Sequence, residues 1–561
     1  MTYFRLVMID VTLLSDPKLH PGRSTTSGPA GIVSFPYRSW SAVLAFQESH
    51  RSHKRWMAYV DGVDRGEWVT YSSFIHEVRQ LATFLQSQGV RRGSRVVIAG
   101  HNHPQTILSY FAIWHLGACA VPLNMTEDNT RLAYIIEHCD ADVILVREEY
   151  EQRVRELHPD RNFITIDNAP WAQNAPAPYH DEDHTFDDCL IVYTSGTTGN
   201  PKGVVLIQQN LFADGFDIAA WHGITEESTM MCVLPVHHVN GTIVTHVTPF
   251  LAGASVVLHR KFSASQFFPA IRHYGVHIVS VVPTLLAFLL ESGADAHNVR
   301  TSGFRHIICG AGPLTCDLAT RFEDSYGIRI VHGYGLSETT CYSCFLPVDL
   351  TDEEHRHWMR DYGFPSIGVA IPCNEMSIHD AQGHDVADGE RGEIVIRGSN
   401  VMREYYANDK ANAETFAFGW FRSGDEGFRI QNEQGQHYYF ITGRLKELII
   451  RGGVNLAPLE IDEVLNRAPG VRSGICVGFD HDMYGEEVGA LVIKQNDDTN
   501  AETILAYCRQ HLPFSKCPKV VVFAETLPVT STGKYQRTKV RHLFVEWRNH
   551  TFSPPEHQRK S

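Results

Sequence analysis

Tyr193-Thr-Ser-Gly-Thr-Thr-Gly-Asn-Pro-Lys-Gly203 is the stretch on which the reading of this chain turns, since no ordinary surface loop needs so many hydroxyl and glycine residues closed by a lysine. The apolar runs Cys189-Leu-Ile-Val-Tyr193 before it and Val204-Val-Leu-Ile207 after it read as buried strands, so the stretch is a loop held between two strands. Gly196, Gly199 and Gly203 let backbone N–H groups turn inward, Thr194, Ser195, Thr197 and Thr198 add hydroxyl donors, and Lys202 adds a cation. Such a loop suits a polyphosphate. It is not a Walker A sequence, whose lysine follows a glycine and precedes a hydroxyl residue, because Pro201 and Gly203 flank Lys202.

Working outward, the pattern is α/β. From Thr70, an N-cap residue, apolar side chains recur at helical spacing from Phe74 to Leu85 until Gly89. Ser94–Gly100, Ala118–Pro122 and Asp142–Val146 read as short buried strands separated by helices, which predicts a parallel sheet covered by helices. The pattern recurs beyond the cradle through Val256–Leu258, Ile278–Val282 and the helix Pro283–Glu291. His306-Ile-Ile-Cys309 then feeds Gly310-Ala311-Gly312-Pro-Leu314, and Ile328-Arg-Ile-Val331 feeds His332-Gly333-Tyr334-Gly335-Leu-Ser337-Glu338-Thr-Thr340. Both are glycine-rich turns at the carboxyl ends of strands, where open α/β sheets bind ligands. Glycine lets a flat base lie against backbone, Tyr334 offers a stacking face, and Glu338 is a hard oxygen ligand suited to Mg²⁺.

Gly392–Gly398, Gly419–Gly427 and Tyr438–Arg444 look like a small β-rich subdomain, and a second, smaller α/β domain follows. The expected division is a lead-in at 1–38, a large N-terminal domain at 39–445 holding two parallel-sheet α/β subdomains and the β-rich one, and a mobile C-terminal α/β domain at 446–561.

Composition narrows the function. At 561 residues with 43% hydrophobic content the chain fills more than one core, and its net charge of −15 argues against nucleic acid or an anionic membrane as partner. Twelve scattered cysteines fit reduced thiols, and Cys341-Tyr-Ser-Cys344 has no second pair to make a metal site. No apolar run reaches the roughly 20 residues needed to span a bilayer. The N-terminus lacks a signal-peptide pattern and the C-terminus, Gln558-Arg-Lys-Ser561, is not a peroxisomal signal, so the cytoplasm is the expected compartment.

The cradle, His238-Val-Asn-Gly241, the Gly310 and Gly333 turns, Asp425, Arg444 and Leu527-Pro-Val-Thr-Ser-Thr-Gly-Lys534-Tyr-Gln-Arg537 stand in the order of the adenylate-forming superfamily. The chain resembles that superfamily, which includes acyl-CoA synthetases, firefly luciferase and the adenylation domains of peptide synthetases, and is most similar to acid:CoA ligases. The resemblance implies ATP and Mg²⁺ as cofactors and CoA as a substrate, with acyl-AMP and pyrophosphate formed first. It makes Lys534 the catalytic lysine, places His238 at the wall between nucleotide and acyl pocket, and sets the Ser337 hydroxyl against the α-phosphate. It gives Asp425 and Arg444 the ribose hydroxyls, Gly452 and Gly453 the thiol channel, and Lys446 the hinge of the small domain. Peptide-synthetase domains usually carry an aspartate near the His238 segment to bind an ammonium group. None stands there, so amino-acid substrates are disfavoured. A ligase loading a carrier protein, a luciferase-type oxygenase and an inactive nucleotide-binding scaffold are the alternatives.

Overall fold

Thr70 caps the helix Tyr71–Ser87 by accepting the Ser73 N–H, and the side chains Phe74, Ile75, Val78, Leu81, Ala82 and Leu85 form its buried face. Gly89, at φ +88°, ends it. The same local logic builds the remaining elements of the computed structural model, which describes residues 36–62, 64–194, 200–529 and 535–553. Ser195, Gly196, Thr197, Thr198 and Gly199 of the cradle, and Lys534, lie outside the described residues.

The fold is α/β. Its N-terminal part holds two large sheets, each with a parallel centre. In one, Arg95–Ala99, Cys119–Pro122, Val143–Val146, Phe163–Thr165 and Asp188–Thr194 run parallel, and Lys202–Ile207 pairs antiparallel to the last of these. In the other, Arg55–Asp61, Thr229–Cys232, Ser255–His259, Ile278–Val281, His306–Cys309 and Arg329–Tyr334 run parallel, with antiparallel strands at both edges. One apolar cluster joins the two sheets, centred on Trp40, Trp56, Phe111, Trp114 and Phe250. The hairpin of Arg55–Asp61 with Asp64–Thr70 was not legible beforehand, because its second strand, DRGEWVT, carries three charges and a glycine.

An antiparallel sheet of Asn374–His379, Gly392–Gly398, Phe421–Gln431 and His437–Arg444 follows. The chain then makes a single turn at Leu445–Glu447 and enters a smaller α/β unit. That unit is built on Val471–His481 and Gly485–Lys494, with apolar clusters of its own. No helix among the described residues is long and apolar enough to cross a membrane.

One buried carboxyl is out of balance. Asp214, on the helix Gln208–Trp221, is fully buried; its Oδ2 receives a long 3.4 Å bond from the Tyr342 N–H, its Oδ1 has no hydrogen-bond partner among the described residues, and the Asn400 side chain offsets the burial in small part. Burial therefore pushes its carboxyl well above the usual carboxylate range, and the nearby Asp217 adds to the rise. The folded state thus holds this proton more tightly than the unfolded chain does. Stability at this residue is fully present below the ordinary aspartate pKa of about 4 and is lost as pH rises toward the raised value. Asp214→Asn is expected to stabilise the fold at about pH 8 by about 1–3 kcal/mol, with the gain vanishing toward about pH 4. Thermal denaturation across pH checks this, and a gain that does not change with pH refutes it.

Candidate active site

The carboxyl ends of His306–Cys309 and Arg329–Tyr334 open onto a cavity of about 1240 Å³ that both parts of the chain line. His238, Ala311, Gly335 and Ser337 line it from the large part, and Asp462, Arg472, Val529 and Tyr535 from the small one.

The two glycine-rich turns are shaped by packing. A Cβ on Gly310 would meet the Tyr342 hydroxyl at 2.6 Å and the Gly333 carbonyl at 2.7 Å; one on Gly333 would meet the Phe345 ring at 2.4 Å. A Cβ on Gly335 would strike the Cys341 carbonyl at 2.0 Å. These glycines are required by the chain's own close approach, and the sequence reading that reserved them for a ligand's flat face omitted this cause. Gly312 is different, since its nearest neighbour is Pro283 at 3.3 Å. Two non-glycine residues beside the cavity also hold positive φ, Ala311 at 64° and Thr340 at 65°. Such conformations cost about 1–3 kcal/mol each and cluster where function requires them. Thr340 is held by donating its hydroxyl to the Asn400 carbonyl at 2.6 Å.

Asp425 and Arg444 face each other across paired antiparallel strands, a register that puts the Arg444 Nε 3.1 Å from Asp425 Oδ1. Asp425 is 2% exposed, and its Oδ2 accepts the Tyr334 hydroxyl at 2.7 Å. Tyr334 therefore contributes a polar handle to this cluster besides its ring. Burial raises the phenol's pKa well above its ordinary value, and the Asp425 charge raises it further, so Tyr334 stays a donor.

Lys202 and Thr194 are register partners at the loop end of the cradle hairpin. The Lys202 ammonium lies 4.5 Å from the centre of the Tyr405 ring, and the Tyr405 hydroxyl donates to Glu338 Oε1 at 2.8 Å. A chain of contacts thus joins the cradle to the Ser337–Thr339 turn. Sequence reasoning missed Tyr405, which sits in the short strand Glu404–Tyr405, far from any motif; its partners become visible only when that strand pairs with Lys202–Ile207.

His237 and His238 follow the strand Thr229–Cys232, with their rings 4.3 Å apart on the cavity wall, and lead into the π-helical turn Asn240–Val247. Burial, and then the neighbouring His238, hold the His237 imidazole well below its ordinary pKa, so it is neutral. A π turn is a recurrent mark of functional sites, and nothing in the sequence periodicity announced this one.

The small part docks through polar contacts and through Leu459, which packs against the large apolar cluster. Glu463 accepts the N–H groups of Cys316 and Asp317 at 3.1 and 3.2 Å, which caps the first turn of the helix Cys316–Tyr326. Arg472 pairs with Glu291 at 2.7 Å and Arg391 with Glu460 at 3.6 Å. Val529 and Tyr535 form an antiparallel bridge at the cavity. Arg537, buried and bonded to Asp462 and the Cys476 carbonyl, anchors the chain just beyond.

Gly452 and Gly453 do not line this cavity. They are the two central residues of the hairpin Ile449–Arg451 with Val454–Leu456, at φ +57° and +83°, which is what a two-residue hairpin turn demands. Lys446 is exposed in the turn Leu445–Glu447, between the antiparallel sheet and the small unit.

Comparison with known proteins matches this geometry to a family. Residues 46–406 match the AMP-binding enzyme family and residues 460–534 the AMP-binding enzyme C-terminal domain. A sulfoacetate–CoA ligase of Cupriavidus necator is 32% identical over 86% of this chain and 94% of its own. A feruloyl-CoA synthase of Amycolatopsis is 31% identical over 85% and 94%. The o-succinylbenzoate CoA synthetase of Bacillus subtilis, solved with ATP and a magnesium ion, superposes with a TM-score of 0.77 at 25% identity, covering 89% of this chain and 99% of that one. With both parts matched in order, by relatives that the alignment spans nearly end to end, the chain belongs to the AMP-binding enzyme family.

Proposed function

We propose that this protein is an ATP-dependent carboxylic acid:CoA ligase. The acid's carboxylate attacks the α-phosphorus of ATP, giving acyl-AMP and pyrophosphate; the CoA thiol then attacks the acyl carbonyl, giving acyl-CoA and AMP. The observation that carries the reading is the full-length likeness to CoA ligases, and the cavity's chemistry agrees with it. The substrate carboxylate is already ionised near neutral pH, so no general base is needed, and the barrier lies in bringing anions together.

Asp425 and Arg444 hold the ribose hydroxyls in this reading, with a hydroxyl taking over one of the contacts that Tyr334 and Arg444 make to Asp425. Thr194, Lys202 and the cradle bind the phosphates, and Ser337 meets the α-phosphate. Glu338, a carboxylate already oriented by Tyr405, fits a magnesium ion, which neutralises phosphate charge when bound. Val239, Leu285, Phe288 and Leu336 line the same cavity as His238 and suit an apolar or aromatic acyl body.

The small domain, residues 446–561, turns about Lys446 between half-reactions. The docked arrangement brings the Val529 and Tyr535 segment to the cavity and leaves the Gly452-Gly453 hairpin outside it, which suits adenylation. Pyrophosphate release across a panel of acids, with and without CoA, tests the reading. Release that depends on the acid, with thioester formed only when CoA is added, is expected. Acyl-AMP that passes to a purified carrier domain and never to CoA overturns it.

A further inference from the structure

A second cavity, of about 720 Å³, opens at the other end of the same sheet. His306 and Arg329 are the first residues of the strands whose far ends carry the Gly310 and Gly335 turns, so the strands separate this cavity from the active site. Its lining holds five arginines, Arg300, Arg305, Arg329, Arg356 and Arg360, against three carboxylates, Glu323, Asp324 and Asp352. A chain whose net charge is −15 thus has a locally basic concavity here.

The carboxylates are committed. Asp352 pairs with Arg329 at 2.5 Å; Glu323 accepts from His355 at 2.7 Å and the Ile330 N–H at 3.0 Å; Arg360 lies 3.5 Å from Glu323 and 3.4 Å from Asp324. Three arginines are left over. Among the described residues Arg300 donates only to the Gly327 carbonyl, Arg305 only to the Gly223 carbonyl and the Ser228 hydroxyl, and Arg356, whose charge is felt by Asp352, makes no ion pair. Solvated arginines need no explanation singly. Here buried polar atoms on the same lining also lack partners: His222 Nε2 on a side chain 1% exposed, His355 Nδ1 on one 5% exposed, and Arg360 Nε. His222 Nδ1 is spent on His306 Nε2 at 3.0 Å, and burial keeps both imidazoles neutral, His306 down at about 3, so neither offsets an anion.

We propose that this cavity is a second ligand site, distinct from the ATP site, for an oxyanion of two or more charges: a phosphate or the phosphate group of a small ester. Planar guanidinium forks match phosphate oxygens in geometry and charge, and this lining carries three that make no ion pair among the described residues.

Arginine footprinting with phenylglyoxal, read peptide by peptide by mass spectrometry on the intact protein, tests this. Inorganic phosphate is expected to protect Arg300, Arg305 and Arg356 several-fold more than sodium chloride of equal ionic strength. Glucose 6-phosphate forms a second arm: stronger protection by the ester assigns the site to a metabolite, and equal protection assigns it to free phosphate. The double variant Arg300→Gln with Arg356→Gln should need about tenfold more phosphate to protect Arg305, with the ATP KM and melting temperature unchanged. Protection no greater than that by chloride, or confined to Arg444, overturns the proposal. The wild-type footprint decides if the variant does not fold.

Discussion

Asp425→Ala is expected to lower kcat/KM for ATP by about two to three orders of magnitude, the size of effect seen when a preorganised polar group is removed from a site. Two partners lose their acceptor together: the buried Tyr334 hydroxyl and the Arg444 guanidinium. Leaving the phenol unpaired costs about 1–3 kcal/mol, while Arg444 is 43% exposed and regains water. Much of the loss therefore falls on the nucleotide's position, with a smaller part on the fold. Asp425→Asn separates the two, since an amide oxygen still accepts from Tyr334 but brings no charge to Arg444. It should keep the melting temperature near that of wild type and still raise the KM for ATP about tenfold. Pyrophosphate exchange against ATP concentration, with a melting curve for each variant, is the measurement. An unchanged KM for ATP in both variants would remove Asp425 from the nucleotide site.

Lys534→Ala is expected to slow adenylation by about two to three orders of magnitude, because in the proposed mechanism its ammonium bridges the two anions that must meet. The reverse case is as informative. Supplied with ready-made acyl-AMP and CoA, the same variant should form thioester within about twofold of wild type, since a charge acting only in the first transition state leaves the second untouched. The expectation rests on Val529 and Tyr535, which bridge at the cavity on either side of Lys534, and on Arg537, which ties the following residues to Asp462. Single-turnover measurement of each half-reaction is the check. Equal slowing of both would show that the residue supports the domain's structure and does not act on the carboxylate.

Much of the architecture could be read from the chain because parallel strands buried on both faces are short apolar runs, and runs such as His306–Cys309 and Val143–Val146 stand out locally. Helix boundaries came within a few residues for the same reason, caps and glycines being local signals. What escaped depended on contacts distant in sequence. Tyr405 reaches Glu338 only because a two-residue strand pairs with the cradle, and Glu463 looks like any helical glutamate until Cys316 and Asp317 present their N–H groups to it. The glycines at 310, 333 and 335 were legible as special, but the atoms that forbid a side chain there belong to Tyr342, Phe345 and Cys341. The Gly452-Gly453 pair has a sufficient local cause in its hairpin turn, so its part in thioester formation rests on resemblance.

The docking of the small domain has a consequence for time. Its contacts with the large part include one buried carboxylate on a helix end and exposed pairs such as Arg472–Glu291, whose side chains are 55% and 44% exposed. Exposed pairs contribute about 0–1 kcal/mol each, and a charge at a helix N-terminus about 0.3–1 kcal/mol, up to about 2 where partly buried. Contacts of that size part and reform readily, and domain rearrangements run in microseconds to milliseconds. Turnover numbers of enzymes lie near 10 per second as a rough median, so a domain docked this way has time to part and dock again many times within one catalytic cycle. The clock of the proposed reaction would then be set by bond-making or product departure, with the swing of the domain a rapid pre-equilibrium beneath it.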